Sequence, residues 1–367
     1  MVRAFRKTYP QARLTWLAES HTRNLIEHHP ELDEVLVWDR NGWKRLWKER
    51  KFGELIREAR SLVAALRKRR FDLAVDMQGL LRSGIMTFLS GAPVRIGLRP
   101  KEGSQIFMTR VVDRHRNKGN QARISSEYLY LAQELGLDTE EFRMEVPLSA
   151  EDLRFARDWK AEEGLETGYA VAIPFTTRPQ KHWFEDRWAA LLETMDHELS
   201  LPPVVLGGPG DQEALERIRA ATGIQLRSLV GTTSLTQPAP VIRGATLVVA
   251  VDTGHSHIAI AYDRPTVTIF GSNIPYTEPP TKRAKVLVHW LECSPCKGNP
   301  TCNGEYTCMR LIQPHDVLTA AREVMAQAKQ EMPVEAEGDS PAPSTEGWKG
   351  LEEHTSPPGG GDTAGPE

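Results

Sequence analysis

The sequence predicts an α/β protein built from two doubly wound units, each a parallel sheet with helices on its faces. Short runs of Val, Ile, Leu and Ala, as at residues 169–174, 203–208, 246–251 and 266–270, alternate with amphipathic stretches of helical length. That alternation is the signature of strand–helix–strand crossovers and an open sheet. Several runs end in turns of Gly, Thr and Asp directly before a helix. The length of 367 residues, with 40% hydrophobic residues, suits two domains with a core each.

The elements follow in order. Residues 1–9 read as a helix, with Val2, Phe5 and Arg6 at helical spacing and Pro10 ending it. Residues 13–18 read as a strand, 21–29 as a helix and 35–38 as a strand. Residues 39–70 are long, basic and partly helical. They hold 12 Lys and Arg against three Glu, with Trp43 and Trp47 four apart. Residues 73–75 form a strand, and 76–84 (Asp-Met-Gln-Gly-Leu-Leu-Arg-Ser-Gly) a loop entering a helix. Residues 94–96 begin another strand. Residues 140–148 lead out of the first unit, and 151–163 form a bridging helix.

The strand at 169–174 ends in Phe175-Thr176-Thr177-Arg178-Pro179-Gln180-Lys181-His182-Trp183. Two hydroxyls, an Arg and a Lys at a strand's carboxyl end suit a diphosphate. Lys181 is the candidate to neutralise it; an exposed loop lysine is the plainer reading. The strand at 203–208 runs into Gly207-Gly208-Pro209-Gly210-Asp211-Gln212-Glu213 and a helix. Glu213 or Asp211 suits ribose hydroxyls, as acidic residues do in dinucleotide folds, or either caps the helix. Ser234-x-x-Gln237 reads as a capping box before residues 238–245.

The strand at 246–251 is the buried centre of the second unit. Asp252-Thr253-Gly254 breaks it, a short helix spans 256–262, Asp263-Arg264-Pro265 ends that helix, and 266–270 is the next strand. Backbone N–H groups converge at such a turn, and the helix dipole favours an anion. Gly254 lets a ligand approach the backbone. His255 and His257 add donors and Thr253 a hydroxyl, so the turn reads as a diphosphate cradle. Asp252 otherwise serves as a helix cap. Residues 314–329 read as a closing amphipathic helix. Beyond 331 the chain is Pro, Gly, Ser, Thr and acid, a composition that buries no core and is expected to be disordered.

Charge is uneven along the chain. Residues 1–123 hold 26 Lys and Arg against 13 Asp and Glu; residues 331–367 hold one Lys against nine acids; the total is −3. A basic first unit suits a phosphorylated partner or an anionic membrane surface. For any single Lys, a solvated charge is the plainer reading. No run approaches the roughly 20 apolar residues of a membrane span. No signal peptide is apparent, and the expected location is the cytoplasm. Cys293, Cys296, Cys302 and Cys308 lie within sixteen residues. They suit a tetrahedral structural zinc, with free buried thiols as the competing reading. No Asp-x-Asp occurs, so no catalytic Mg²⁺ or Mn²⁺ is expected, and no nucleic-acid partner.

The string Asp252-Thr253-Gly254-x-x-His257-x-Ala259, followed by Phe270-Gly271-Ser272 and Pro275, resembles the signature of glycosyltransferase family 9. These are the bacterial heptosyltransferases of lipopolysaccharide core assembly. Asp76-x-Gln78-Gly79-Leu80 with Ser83, the basic Trp-containing insert at 39–70 and the Lys181-x-Trp183 setting are similar to the family too. The likeness is greatest to the subgroup adding the first heptose. It implies a GT-B fold, two facing Rossmann-like domains with a cleft between them, at 1–148 and 149–330, with a tail at 331–367. It implies an ADP-sugar on the second domain, held by Thr176, Thr177, Lys181, Glu213, Asp252, Thr253, Gly254 and His257. It implies an acidic lipopolysaccharide-core acceptor on the first, near Lys44, Arg45, Lys48, Arg60 and Gln78. Transfer would invert the anomeric centre without a metal, at the cytoplasmic face of the inner membrane. Similar Cys-Ser-Pro-Cys stretches occur in the family, and no catalytic role is attached to them.

One departure stands out. Family members open with an apolar strand and a Gly-Asp loop, whose Asp is taken as the general base, before the helix with which this sequence begins. The first strand of a doubly wound sheet lies in its middle, so a gap is expected there. The sequence therefore reads as a fragment, or as one whose start is placed too late. Little transfer is expected from it, and Asp76 is the remaining carboxylate to test as a base. Two other readings stay open: a non-catalytic sugar-nucleotide-binding relative, and a GT-B-like sugar-nucleotide epimerase.

Overall fold

A computed structural model describes residues 1–98, 100–113, 126–231, 238–296 and 299–331. The acidic tail beyond residue 331 and the Ser234–Gln237 box lie outside them. Met1–Lys329 forms one compact unit.

The amino-terminal half runs α1 (Val2–Thr8), β1 (Thr15–Glu19), β2 (Glu34–Trp38), α2 (Arg40–Lys48), α3 (Phe52–Lys68), β3 (Leu73–Asp76), α4 (Leu81–Leu89), β4 (Val94–Leu98), β5 (Arg110–Val112) and α5 (Ser126–Glu134). The helix expected at 21–29 is only a 3₁₀ element, Ser20–Leu25, with no buried residue. Ser, His, Thr and Asn favour local turns, and this segment has no apolar stripe to dock.

The carboxyl-terminal half runs α6 (Ala150–Glu162), β6 (Ala170–Ile173), α7 (Glu185–Leu199), β7 (Pro203–Val205), α8 (Gln212–Ala220), β8 (Arg227–Ser228), α9 (Pro238–Gly244), β9 (Leu247–Val251), α10 (Gly254–Ala261), β10 (Thr266–Phe270), β11 (Ala284–Val288), α11 (Thr307–Arg310) and α12 (Pro314–Glu331).

The second half folds as the sequence leads one to expect. Its six strands are parallel, in the order β11-β10-β9-β6-β7-β8. Every residue of β6, β9 and β10 is buried. Successive side chains alternate between two cores, as the pleat requires. Ala170, Ala172, Val249 and Val251 face Trp188, Leu192 and Met195 of α7 and Val317 and Ala321 of α12. Val171, Ile173, Val248 and Ala250 face Trp159 of α6, Val241 and Ile242 of α9 and Ala259 of α10. Helices therefore cover both faces, and each fully buried Val, Leu or Ile contributes about 1.5–3 kcal/mol of transfer free energy.

The first half differs. Its strands form two separate parallel sheets, β1-β2 and β3-β4-β5. The strands of β1, β2 and β3 are mostly half-buried. A groove of about 890 Å³ lies along β1 and β3, lined among others by Val2, Phe5, Leu14, Trp16, Leu73 and Val75. The division falls where the sequence predicts a gap.

The expected boundary at residue 148 falls in a strap joining the halves. Glu145 is bound by Arg3 of α1, and lies 3.3 Å from His29 Nε2. The Tyr262 hydroxyl, after α10, donates to the Val146 carbonyl at 3.0 Å. Ser149 then caps α6 through a reciprocal bond pair with Asp152.

Candidate active site

The carboxyl ends of β6 and β9 lie side by side, paired in register from Ala170 with Leu247 to Ile173 with Ala250. Strand order reverses between them: β7 and β8 lie to one side, β10 and β11 to the other. Such a switch point opens a crevice beyond the strand ends, where doubly wound sheets bind ligands.

The segment after β6 is well anchored. Phe175 and Trp183 are buried, and the Trp183 indole N–H donates to the Ile312 carbonyl at 3.1 Å. His182 Nε2 lies 2.7 Å from the Thr176 carbonyl. The 3₁₀ turn Pro179–Lys181 is held between these points. The Lys181 ammonium lies 2.6 Å from Asp252 Oδ2, at the end of β9. The Thr176 hydroxyl donates to the Asp252 carbonyl at 3.4 Å. Thr177 is exposed.

Asp252 does not cap α10. Its carboxylate is buried, and Oδ2 takes both the Lys181 ammonium and the Asn273 amide, 3.3 Å away. Thr253 is the N-cap residue and makes no side-chain cap bond. Of the first N–H groups of α10, that of Ser256 is taken by the Thr253 carbonyl at 3.2 Å, while those of Gly254 and His255 are open to solvent or a ligand. A Cβ at Gly254 would meet nothing within 4 Å, so the space in front of the helix is open.

His257, one turn into α10, has Nδ1 3.2 Å from the Tyr276 hydroxyl. Burial lowers the pKa of His257, and Lys181 adds to that against the pull of Asp252. Burial also lowers the pKa of His255. In the neutral tautomer whose Nδ1 accepts from the Tyr276 hydroxyl, His257 carries its proton at Nε2 and can donate it to a ligand. The unfolded chain binds protons near pH 6.5 that the two half-buried imidazoles resist. Their contribution is intact above about pH 6.5 and is lost as pH falls below it. The double variant His255→Gln, His257→Gln should lose fewer degrees of Tm than the parent between pH 7.5 and 5.5; an equal loss would refute the assignment.

Thr176, Lys181, Asp252, Thr253, Gly254 and His257 thus gather at one place. The glycine-rich turn after β7 is divided. Asp211 Oδ2 accepts the Gly208 N–H at 2.7 Å and caps the local turn. Glu213 is exposed in the first turn of α8. Asn273 and Tyr276 escape the sequence reading. They follow Phe270-Gly271-Ser272 in a loop whose only local signals are turn residues. That loop is braced by the cysteine segment: the Ser294 hydroxyl donates to the Gly271 carbonyl at 2.8 Å, and Cys296 Sγ to the Ser272 carbonyl at 3.7 Å.

All four cysteines are free thiols, Cys293 exposed, Cys296 and Cys302 half-buried, Cys308 buried. Among the described residues no three His, Cys, Asp or Glu stand together to hold a metal. Cys308 packs into the core beside Gly271, where burial, with Cys293 and Cys296 nearby, pushes its thiol pKa up.

In the first half, Lys44, Arg45, Lys48 and Arg60 are exposed on α2 and α3, and Gln78 is exposed after β3. Asp76 is buried and holds its turn. Oδ1 accepts the N–H groups of Gln78 and Gly79 at 2.9 and 3.1 Å, and Oδ2 the Ser83 hydroxyl at 2.8 Å.

The family described as "Glycosyltransferase family 9 (heptosyltransferase)" matches residues 59–307. Lipopolysaccharide heptosyltransferase 1 of Pseudomonas aeruginosa is 28% identical over 293 residues, 79% of each chain. The structure of a family 9 glycosyltransferase from Veillonella parvula superimposes with a TM-score of 0.75 at 21% identity, over 89% of this chain and 92% of the other. That of Escherichia coli heptosyltransferase WaaC with ADP-2-deoxy-2-fluoro heptose gives 0.64 at 22% identity, over 88% and 94%. The shared fold is GT-B, two Rossmann-like α/β units. No helix among the described residues is long and apolar enough to cross a membrane.

Proposed function

Because the chain belongs to glycosyltransferase family 9, we propose that it moves a heptose from ADP-heptose to the inner core of lipopolysaccharide, with inversion and without a metal. The observation that carries this is the Lys181–Asp252 pair beside the open start of α10, at the switch point of the second sheet. The diphosphate lies against the first N–H groups of α10. The acceptor oxygen attacks the anomeric carbon as the bond to ADP breaks, through an oxocarbenium-like state. Negative charge growing on ADP is met by Lys181, by His257 Nε2–H and by the helix start, all fixed beforehand. Asp252 is a carboxylate and repels phosphate. Its part is to hold Lys181 in place and, with Thr176 and Thr177, to meet hydroxyl groups. Glu213 is the ribose candidate on α8. The acidic acceptor meets Lys44, Arg45, Lys48, Arg60 and Gln78, and the enzyme works at the cytoplasmic face of the inner membrane.

The test is ADP release with ADP-heptose and a heptose-accepting core. A second reading, binding without transfer, is favoured by the divided first sheet. It predicts ADP-heptose binding with no ADP release. Gly254→Val separates the site from the scaffold. Its Cβ enters open space and Val is a better helix former than Gly, so the fold should lose little. ADP binding should fall at least about tenfold, since a phosphate brought to the helix start meets the new methyls. Unchanged ADP affinity by calorimetry would place the diphosphate elsewhere.

A further inference from the structure

We propose that the tip of the α2–α3 hairpin seats in the interface of an anionic phospholipid bilayer. The hairpin reverses over Glu49–Lys51, with Arg50 in the left-handed region at φ 57°. Three large apolar side chains stand exposed around this turn: Trp47 at 64%, Phe52 at 46% and Ile56 at 51%. They form one patch. The Trp47 and Phe52 rings meet edge to face across the turn, with centroids 5.3 Å apart. Phe52 and Ile56 are one helical turn apart on α3. Trp43 shows what the plainer fate of such a residue is: it packs at 5.6 Å against Trp38 of β2 and is half-buried. Trp47, four residues on, turns outward.

Cations ring the patch. Lys44, Arg45, Lys48, Arg50, Lys51, Arg57 and Arg60 are all exposed, against the acids Glu49, Glu54 and Glu58, of which Glu49 pairs with Lys51 at 2.9 Å. An apolar surface of this kind with an aromatic at its centre marks an interaction site. The charge complement is anionic. Trp belongs at membrane–water interfaces, and Lys and Arg around it engage acidic headgroups. This rests on the reading of the acceptor as a membrane lipid, and it adds the surface by which the enzyme reaches it.

The test is co-sedimentation of the full chain with vesicles that hold no lipopolysaccharide, so the acceptor cannot contribute. Phosphatidylcholine vesicles containing phosphatidylglycerol should carry the protein down, and pure phosphatidylcholine should not. Trp47→Ser with Phe52→Ser should weaken partition at least tenfold. Lys51→Gln with Arg57→Gln should weaken it severalfold and flatten its dependence on salt. All four residues are exposed, so far-ultraviolet circular dichroism and ADP affinity should stay at the parent's values. No binding by the parent, or equal binding by the aromatic variant, overturns the proposal. Loss of ADP binding in the parent would instead strike at the transferase reading, and the two failures are read separately.

Discussion

Lys181→Ala is expected to cut sugar transfer by roughly 10²–10³-fold, and to weaken ADP binding by roughly 1–3 kcal/mol. Two effects combine. The ammonium is held against Asp252, two residues before α10, so its loss leaves the departing diphosphate to the backbone N–H groups and His257. The same change strips the buried Asp252 carboxylate of its 2.6 Å partner, leaving only the Asn273 amide. A buried anion without its cation then repels the phosphate that is meant to bind. The effects separate in a double variant. Adding Asp252→Asn to Lys181→Ala removes the orphaned charge, and should recover part of the ADP affinity but not the transfer rate. Calorimetry showing ADP binding unchanged in Lys181→Ala would rule Lys181 out.

The second half was legible in the sequence for physical reasons. Parallel strands buried on both faces must be continuously apolar, so β6, β9 and β10 announce themselves. The turns after β6 and β9 carry groups that a strand or helix interior would not tolerate, which exposed Thr176, Lys181 and Asp252. What the turn sequence did not reveal was partnership. Asp252 reads from sequence as a donor-binding group or a helix cap, and its bonds to Lys181 and Asn273 set the cap aside. Asn273 and Tyr276 were missed because their roles arise from β10 and β9 lying side by side. In the first half, Ser20–Leu25 is 3₁₀ where the sequence leads one to expect a helix, because it has no apolar stripe to dock. Trp43 and Trp47 look equivalent in sequence. Trp43 lies against Trp38, while Trp47 stays exposed at the turn.

An apolar strand of about five residues fused ahead of Met1 should raise the Tm by on the order of 10 °C. The two sheets of the chain supply the reasoning by comparison. In the second, the first strand β6 lies between β7 and β9, and feeds α7. In the first, β1 follows α1 as β7 follows α7, and β3 corresponds to β9, but among the described residues no strand occupies the position of β6. Among the described residues β1 pairs with β2 alone and β3 with β4 alone. Their facing edges border the 890 Å³ groove, into which Met1 and Val2 also reach. Inside that edge the Thr15 hydroxyl is buried without a partner. A parallel strand placed there bonds to both edges at once, each bond contributing about 0.5–1.5 kcal/mol net. It also buries apolar surface at about 25 cal/mol per Å². Ordering its backbone costs roughly 1–2 kcal/mol per residue, which leaves a surplus on the order of a few kcal/mol. For a chain of this size, 1 kcal/mol moves Tm by about 2–4 °C. A strand of the same length with Pro at adjacent central positions should give little gain, because successive residues donate to opposite edges and Pro removes donors to both. Equal melting temperatures for the two fusions would show that the groove does not accept a strand. A Gly-Asp placed between the fused strand and Met1 carries the argument to chemistry. A positioned base contributes roughly 10²–10⁴-fold toward a sugar hydroxyl, so ADP release should rise with Gly-Asp and fall again with Gly-Asn. If the unfused chain already turns over robustly and loses that turnover in Asp76→Asn, the base is Asp76 instead.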